Sequence, residues 1–360
     1  MGQGTFRSAL PKVYEHLLPS FFDLPVVDEP RATCDSCAMC DKGQNPSTVS
    51  AAFFRPDIKC CTYYPTLPNY LVGSALDDAR PGSAEGARRL RAVIARRVGV
   101  TPRWVAAPRK YRVLLDAARL SSFGRSESLL CPYYAKDTGR CTIWEHREGI
   151  CATFFCKHQH GGSGRRFWMA LKQWLAHTER TIAEHVARQI APEHVEPEIR
   201  PGTLTLEDLE DRPPSQESHA AMFGAWAGRE EELYVECFRR ASALSADQVR
   251  ELTGARGEEL LAAATARHES VTSPKLAHKL RLNPDMPTLR CDAGVAVTPY
   301  SRYDSFVLPA VLYDALTRFG PEQSVDATLE RLAKDDDLEL ARETLLELQV
   351  FEVMVPVEEA

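Results

Sequence analysis

Cysteine is the residue type with the most chemical information in this sequence. The chain has 11 cysteines in 360 residues. The candidate metal ligands all precede residue 160: Cys34, Cys37, Cys40, Cys60, Cys61, Cys131, Cys141, Cys151 and Cys156. Cytosolic proteins rarely maintain disulfides, so clustered thiols in that compartment are better explained by metal ligation. The sequence therefore predicts a metal site in the N-terminal part of the chain.

The spacing of the first cysteines is typical of metal sites. Cys34, Cys37 and Cys40 are separated by two-residue gaps, which let successive thiolates surround one ion or cluster. Four thiolates suit tetrahedral zinc and iron–sulfur clusters equally well. Aromatic pairs flank most of the cysteines, and an apolar shell of this kind shields a cluster, although the same pairs also fit the core of a small domain. We therefore expect one or two iron–sulfur clusters, of the 4Fe-4S type, with zinc as the alternative.

The cysteine segments resemble the zinc- and iron-chelating cysteine-cluster family, also called YkgJ-like. That family pairs an early C-x-x-C…C-C segment with a later block of the form C…G-x-C-x-I-Y…R-P-x-x-C-R-x-F. The early segment is matched by Cys34, Cys37, Cys60 and Cys61, and the later block by Cys131, Gly139, Cys141, Ile143, Arg147, Cys151 and Phe154. The resemblance covers residues 30–160, and it implies metal chelation.

The chain also departs from the family pattern. Trp144 stands in place of the tyrosine, Glu148 stands in place of the proline, and a 19-residue gap separates Cys40 from Cys60. A basic helical insertion at 80–120 lies between the two matched segments. Eight of the cysteines would supply two four-thiolate sites with Cys40 in surplus or substituting, but three-cysteine sites fit as well. The number of sites and the ligand set stay open.

The remaining candidate residues have simpler interpretations. Three histidines lie near ligand cysteines and could complete a site: His146, His158 and His160. Because they are polar residues beside a glycine loop, we expect them to be surface histidines instead. Cys237 and Cys291 stand alone and are expected to be buried apolar residues. The ferredoxin and radical-SAM spacings, phosphate loops, GxSxG and HExxH are all absent from the sequence. No nucleophile–base pair identifies an active site, so catalysis is left open.

The elements that position these residues are predicted to be mostly helical. Apolar residues recur at helical spacing over 85–98 and, after a glycine-rich break at 160–164, over 166–190. Helical patterning continues over 218–268. From residue 284 short β-prone segments alternate with three helices, at 308–319, 325–333 and 338–348, before a last strand at 350–355.

The fold class is therefore mostly α with small β. We expect a loop-rich cysteine-cluster metal domain at 1–160, with the basic insertion at 80–120, then a helical region at 165–283. The order of elements over 284–360 indicates a winged-helix-like domain.

The C-terminal helices favour a protein partner over nucleic acid. A helix that reads DNA needs Lys and Arg, whereas the helix over 338–348 carries Glu339, Glu343 and Glu347 against Arg342 alone. The region faintly resembles the small peptide-recognition winged helices attached to peptide-modifying enzymes. That resemblance implies binding of an extended peptide at a sheet edge. A structural or dimerisation role is the alternative.

Composition is that of an ordinary globular chain, with 44% hydrophobic and 26% charged residues and a formal charge of −6. No apolar run would span a bilayer and no apolar signal core follows the N-terminus, so a cytoplasmic protein without membrane contact is expected. The function expected from all these features is an iron–sulfur protein, with redox or metal-dependent modification of a peptide or protein partner. The alternative is a non-enzymatic zinc protein that acts as an interaction module.

Overall fold

The computed structural model describes residues 4–30, 34–35, 37–40, 53–193 and 204–357, and helices dominate it. The helices are α1 (Phe6–Ala9), α2 (Asn69–Asp77), α3 (Ala84–Arg96), α4 (Arg109–Ser122), α5 (Gly149–Thr153), α6 (Gly161–Ile190), α7 (Leu206–Leu209), α8 (Gln216–Phe223), α9 (Glu230–Ser242), α10 (Ala246–Thr272), α11 (Ala310–Leu316), α12 (Val325–Asp335) and α13 (Arg342–Val350). The predicted class, mostly α with small β, is confirmed.

The strands are short, and all their pairings are antiparallel. They are β1 (Leu67–Pro68), β2 (Trp104–Val105), β3 (Tyr134–Ala135), β4 (Arg140–Cys141), β5 (Leu280–Leu282), β6 (Thr288–Cys291), β7 (Gly294–Val297), β8 (Phe306–Leu308) and β9 (Met354–Pro356). Two-stranded sheets join β1 to β2, β3 to β4 and β5 to β9, while β6, β7 and β8 form a sheet in that order.

The chain forms two compact units, each assembled from separate segments. The first unit comprises residues 1–26, 39–154 and 172–260, and the second comprises residues 27–38, 155–171 and 261–360. The domain boundaries predicted near 160 and 284 stay a prediction.

Helix packing builds the core of the first unit. Helix α3 buries Leu90, Val93 and Ile94 on one face, and Glu85 in its first turn and Arg96 in its last turn complement the helix dipole. Helix α2 lies directly against α9, and a Cβ atom on Gly73 would collide with the carbonyl group of Tyr234. Glycine at this position therefore permits the close approach of the two helices.

A continuous apolar cluster forms the core of the second unit. Its buried members come from strands and helices across residues 280–354 and include Leu316, Leu332 and Leu345. The side chain of Ser324 accepts a hydrogen bond from Ala327 N at 3.2 Å and caps the start of α12.

The predicted chain break at 160–164 is wrong, because α6 already begins at Gly161. A Cβ atom on Gly161 or on Gly162 would collide with Phe351 or Glu352, so the glycines serve close packing within the second unit. The predicted helices over 85–98, 166–190, 325–333 and 338–348 are confirmed to within a few residues.

The last strand is shorter than predicted. Helix α13 extends to Val350 and β9 begins only at Met354, because residues 351–353 form the turn that returns the chain to pair with β5. The winged-helix likeness of this region stays a prediction. Within the described residues, no helix combines the length and the apolar character needed to cross a membrane.

Candidate metal centre

The nine candidate cysteines are divided between the two units. The first unit contains six of them: Cys40, Cys60, Cys61, Cys131, Cys141 and Cys151. The second unit contains Cys34, Cys37 and Cys156, of which Cys156 is buried and the other two are half-buried. Sequence spacing alone groups Cys34, Cys37 and Cys40, and this grouping stays a prediction.

Hydrogen bonds to backbone carbonyl groups join the early and late cysteine segments of the first unit. Cys131 N donates a hydrogen bond to Cys61 O at 2.8 Å, and Lys59 Nζ donates to Gly139 O at 2.9 Å. Gly139 lies in the turn between β3 and β4 with a positive φ of 65°, which favours glycine. Cys141 therefore pairs with Tyr134 on the neighbouring strand.

The basic insertion also holds the cysteine loops in place. From α3, Arg89 Nη1 donates hydrogen bonds to Pro132 O and Tyr134 O, each at 2.9 Å. From α4, Tyr111 Oη donates to Thr62 O at 2.5 Å. Each helix thus fixes backbone next to a cysteine, and the insertion supports the site rather than merely interrupting the sequence pattern.

The thiols of Cys60, Cys131 and Cys141 lie close enough to Cys151 to shift its pKa, and we call these four residues the thiol cluster. Burial raises the pKa of the Cys151 thiol far above its usual value, and the charges of Glu148 and of the other three thiols raise it further. Burial also raises the pKa of Cys131, with Cys141 adding to the effect and Arg89 opposing it. Without a cation, Cys131 and Cys151 therefore stay protonated, because burial and neighbouring negative charge both disfavour the thiolate.

Aromatic rings surround the thiol cluster. The ring of Tyr64 packs edge-on against Tyr111 and Tyr133, with centroids 5.6 and 5.9 Å apart. Burial raises the pKa of Tyr134 to about 12, and the nearby thiols of Cys61, Cys40 and Cys60 contribute. Cys40 and Cys61 therefore lie close to Tyr134, the residue that pairs with Cys141.

Two buried carboxyl groups adjoin the cluster. Glu148 is 3% exposed and Glu179, on α6, is 4% exposed. Burial and the charge of Glu179 raise the pKa of Glu148 well above its usual value, while hydrogen bonds from Tyr63, Ile150 and the Cys151 thiol partly oppose the shift. Burial likewise raises the pKa of Glu179. The two carboxyl groups and the thiol cluster therefore form one set of potential anions.

A surface cavity of about 350 Å³ leads from solvent to Cys141. Its lining includes Arg80, Trp144 and His146. His146 is held on both sides, because Ser74 Oγ lies 3.0 Å from Nδ1 and Asp78 Oδ2 lies 2.9 Å from Nε2. Burial lowers the pKa of His146 in spite of Asp78, so the imidazole is neutral at pH 7.

The donor set of the first unit fits a metal centre by its chemistry. Thiolates and carboxylates are the side chains that bind zinc and iron, and buried groups of this kind become stable anions only beside a cation. In the described part of the chain, no three side chains of His, Cys, Asp or Glu already converge on a point where they could hold a metal ion. Binding would therefore require side-chain rotations within the cluster.

Comparisons with family models, curated proteins and solved structures find no match to this chain. The resemblance to the cysteine-cluster family therefore stays a prediction, and the site must be interpreted from its own residues.

The second unit has a polar cluster of its own beside Cys156. Glu29 accepts hydrogen bonds from Trp168 Nε1 at 2.8 Å and from Gln159 N at 2.5 Å, and it lies 3.5 Å from His158 Nδ1. Tyr300 Oη accepts a hydrogen bond from His158 N at 3.2 Å. These contacts fix the backbone that follows Cys156.

Two predictions about isolated residues are wrong. His146 and His158 are buried, at 8% and 4% exposure, because each forms polar contacts in the interior, whereas His160 is half-buried. Cys291 is exposed, since all four residues of β6 face solvent. The prediction that Cys237 is buried is confirmed.

Sequence reasoning missed the carboxyl pair and the supporting side chains of the insertion. Glu148 carried a signal, because it replaces the proline of the resembled family pattern. Glu179, Arg89 and Tyr111 carried none, since each lies on a helix whose pattern explains it as an ordinary helical residue.

Proposed function

We propose that this chain is a metal-binding protein whose thiol cluster holds an iron–sulfur centre. The observation that carries the proposal is that four thiols, those of Cys60, Cys131, Cys141 and Cys151, lie in one compact unit close to Cys151, with Cys131 buried and the other three half-buried. Cys40 and Cys61 lie close to Tyr134, the residue that pairs with Cys141, and are available as further ligands.

A metal centre explains why thiols are gathered in an apolar site. Bound iron would supply redox chemistry or an open position for a substrate, and the chain itself would supply the thiolates, the aromatic shield and the neutral His146 at the mouth of the cavity. The cavity would give a small reactant access to Cys141. A protein or peptide substrate would need a docking surface as well.

The C-terminal sheet supports a peptide partner. Among the described strands β6 pairs with β7 alone, so its outer edge has backbone groups available for another strand. All four residues of β6 are exposed, and Leu289 is 70% exposed. We propose that an extended peptide adds to this edge and that the metal centre acts on the partner.

Zinc is the second candidate, because four thiolates suit it equally well. In that case the protein would be a non-enzymatic interaction module, in which the metal stabilises the loops that carry the cysteines. The carboxyl group beside Cys151 favours this candidate, since zinc accepts mixed sulfur and oxygen ligands.

Metal and sulfide analysis of protein purified without oxygen tests both candidates. Iron with matching sulfide and broad visible absorption would support the cluster, and colourless protein with zinc and no sulfide would support the module. The Cys151→Ser variant should lose at least half of the bound metal, while Cys291→Ser, which changes an exposed thiol on β6, should retain it. Wild-type protein without iron or zinc would contradict the proposal.

A further inference from the structure

Glu148 and Glu179 are both buried in the first unit, but their side-chain oxygen atoms differ in their hydrogen bonds. Glu179 Oε1 accepts hydrogen bonds from Tyr14 Oη at 2.5 Å and from Gly149 N at 2.7 Å. Glu148 Oε1 is buried and has no hydrogen-bond partner among the described residues. Glu179 is thus fixed in place, whereas one oxygen of Glu148 is left without a donor.

An unpaired buried oxygen of this kind is costly. Native proteins satisfy nearly all buried polar atoms, and a buried oxygen that loses its water partners without gaining a donor destabilises the folded state. Across the residues whose positions are described, neither glutamate forms an ion pair with Lys, Arg or His. The site therefore lacks a positive charge where two carboxyl groups meet.

Cys151, the neighbour of Glu148, indicates which kind of cation would fit this site. The Glu148 carboxyl group and the Cys151 thiol lie close enough for each to shift the pKa of the other, so an oxygen ligand and a sulfur ligand are neighbours at this point. The other three members of the thiol cluster also lie close enough to Cys151 to raise the pKa of its thiol. A metal ion bound at the unpartnered oxygen Oε1 would therefore lie beside the Cys151 sulfur.

We propose that Glu148 and Cys151 bind the same metal ion, Glu148 through Oε1 and Cys151 as a thiolate. The proposal rests on the proposed function, and it assigns a carboxylate ligand that the cysteine pattern does not contain. On binding, the Cys151 S–H bond and the Glu148 O–H bond are broken, a sulfur–metal bond and an oxygen–metal bond form, and both protons leave to solvent. The ligand is a divalent ion that accepts sulfur and oxygen together, namely zinc(II) or iron(II), the latter alone or as one iron of a cluster.

Glu179 acts as a positioning residue. Its carboxylate accepts the N–H group of Gly149, the residue that follows Glu148, and Tyr14 orients that carboxylate in turn. A Cβ atom on Gly149 would lie within 2.7 Å of Leu175 Cβ and 3.3 Å of Glu179 Oε1, so glycine permits this approach of α5 to α6. The backbone carrying Glu148 is therefore fixed before a metal binds.

Metal titration of the full chain tests the assignment. Metal-free wild type, Glu148→Gln and the control Glu145→Gln are titrated with zinc(II) against a competing chelator and, separately, with cobalt(II) as a coloured probe. Glu145 lies in the same segment but is exposed, so its substitution changes charge without touching the buried site. We expect about a 10- to 100-fold loss of affinity and shifted cobalt bands for Glu148→Gln, and less than a twofold change for the control.

Thermal melting separates ligand loss from misfolding. Without metal, Glu148→Gln should melt at or above the wild-type temperature, because it replaces a buried acidic group whose Oε1 has no partner with a neutral side chain of the same shape. The rise in melting temperature on adding zinc should be smaller than in the wild type. If Glu148→Gln fails to melt cooperatively, Glu148→Asp replaces it, and we expect shifted cobalt bands because its oxygen is withdrawn by one methylene.

The outcomes separate this assignment from the proposed function. Wild-type affinity and unchanged cobalt bands in the Glu148 variant overturn the assignment while leaving a thiolate centre in place. Wild-type protein that binds neither zinc nor cobalt overturns both.

Discussion

Residues 280–356 and residues 53–154 bury different kinds of side chain. The core of residues 280–356 consists mainly of leucine, valine and phenylalanine, with Leu316 and Leu345 fully buried. Residues 53–154 bury the Cys131 thiol and the Glu148 carboxyl group beside apolar residues, and Glu148 Oε1 has no partner among the described atoms. Apolar packing is therefore sufficient to stabilise the fold of residues 280–356. Residues 53–154 instead contain acidic groups whose ionised form is stable in an apolar site only when a cation is bound.

Metal removal should give the largest contrast between the two regions. Structural zinc contributes about 10–16 kcal/mol in small zinc-finger peptides, so chelation should lower amide-exchange protection in residues 53–154 by at least about 100-fold. Protection in residues 280–356 should change by less than about twofold. Hydrogen exchange with mass spectrometry measures both regions in one sample. Equal loss in both would contradict the comparison, and no loss in either would contradict a stabilising metal.

The apolar region should respond to the opposite kind of change. Leu345→Ala removes a fully buried side chain from α13 and should cost about 2–5 kcal/mol of unfolding free energy in the second unit. Bound metal per chain should stay at the wild-type level. Urea unfolding and metal analysis check the two parts. The control is Val311→Ala on α11, where the side chain is 67% exposed and the cost should stay below about 0.5 kcal/mol.

A smaller effect should come from the side chain that supports the cysteine loop. Arg89→Met removes the donor to Pro132 O and Tyr134 O, and we expect a loss of about 1–3 kcal/mol in the first unit. Arg88→Met is the matched control, because Arg88 lies on the same helix and also binds Glu85 but is 68% exposed. Urea unfolding measures both variants. Equal costs for the two would mean that the loop does not depend on Arg89.

Local sequence patterns were enough for the helices and for the choice of cysteine as the key residue type. Periodic apolar residues predicted α3 and α6 because helix periodicity is set by neighbours three and four positions apart. The same reasoning failed at Gly161, where glycine permits contact with Phe351 rather than ending an element. It failed again at Cys291, because the exposure of β6 depends on which strands cover it.

The sequence by itself determined the mostly helical class, the amphipathic faces and the set of nine candidate thiols. Only the tertiary structure decided which thiols share a compact unit, that Arg89 and Tyr111 hold the cysteine loops, and that Glu148 meets Glu179 beside Cys151. The physical reason is distance along the chain. Propensity and periodicity act within a few residues, whereas burial and charge at a site are set by segments that meet only when the chain packs.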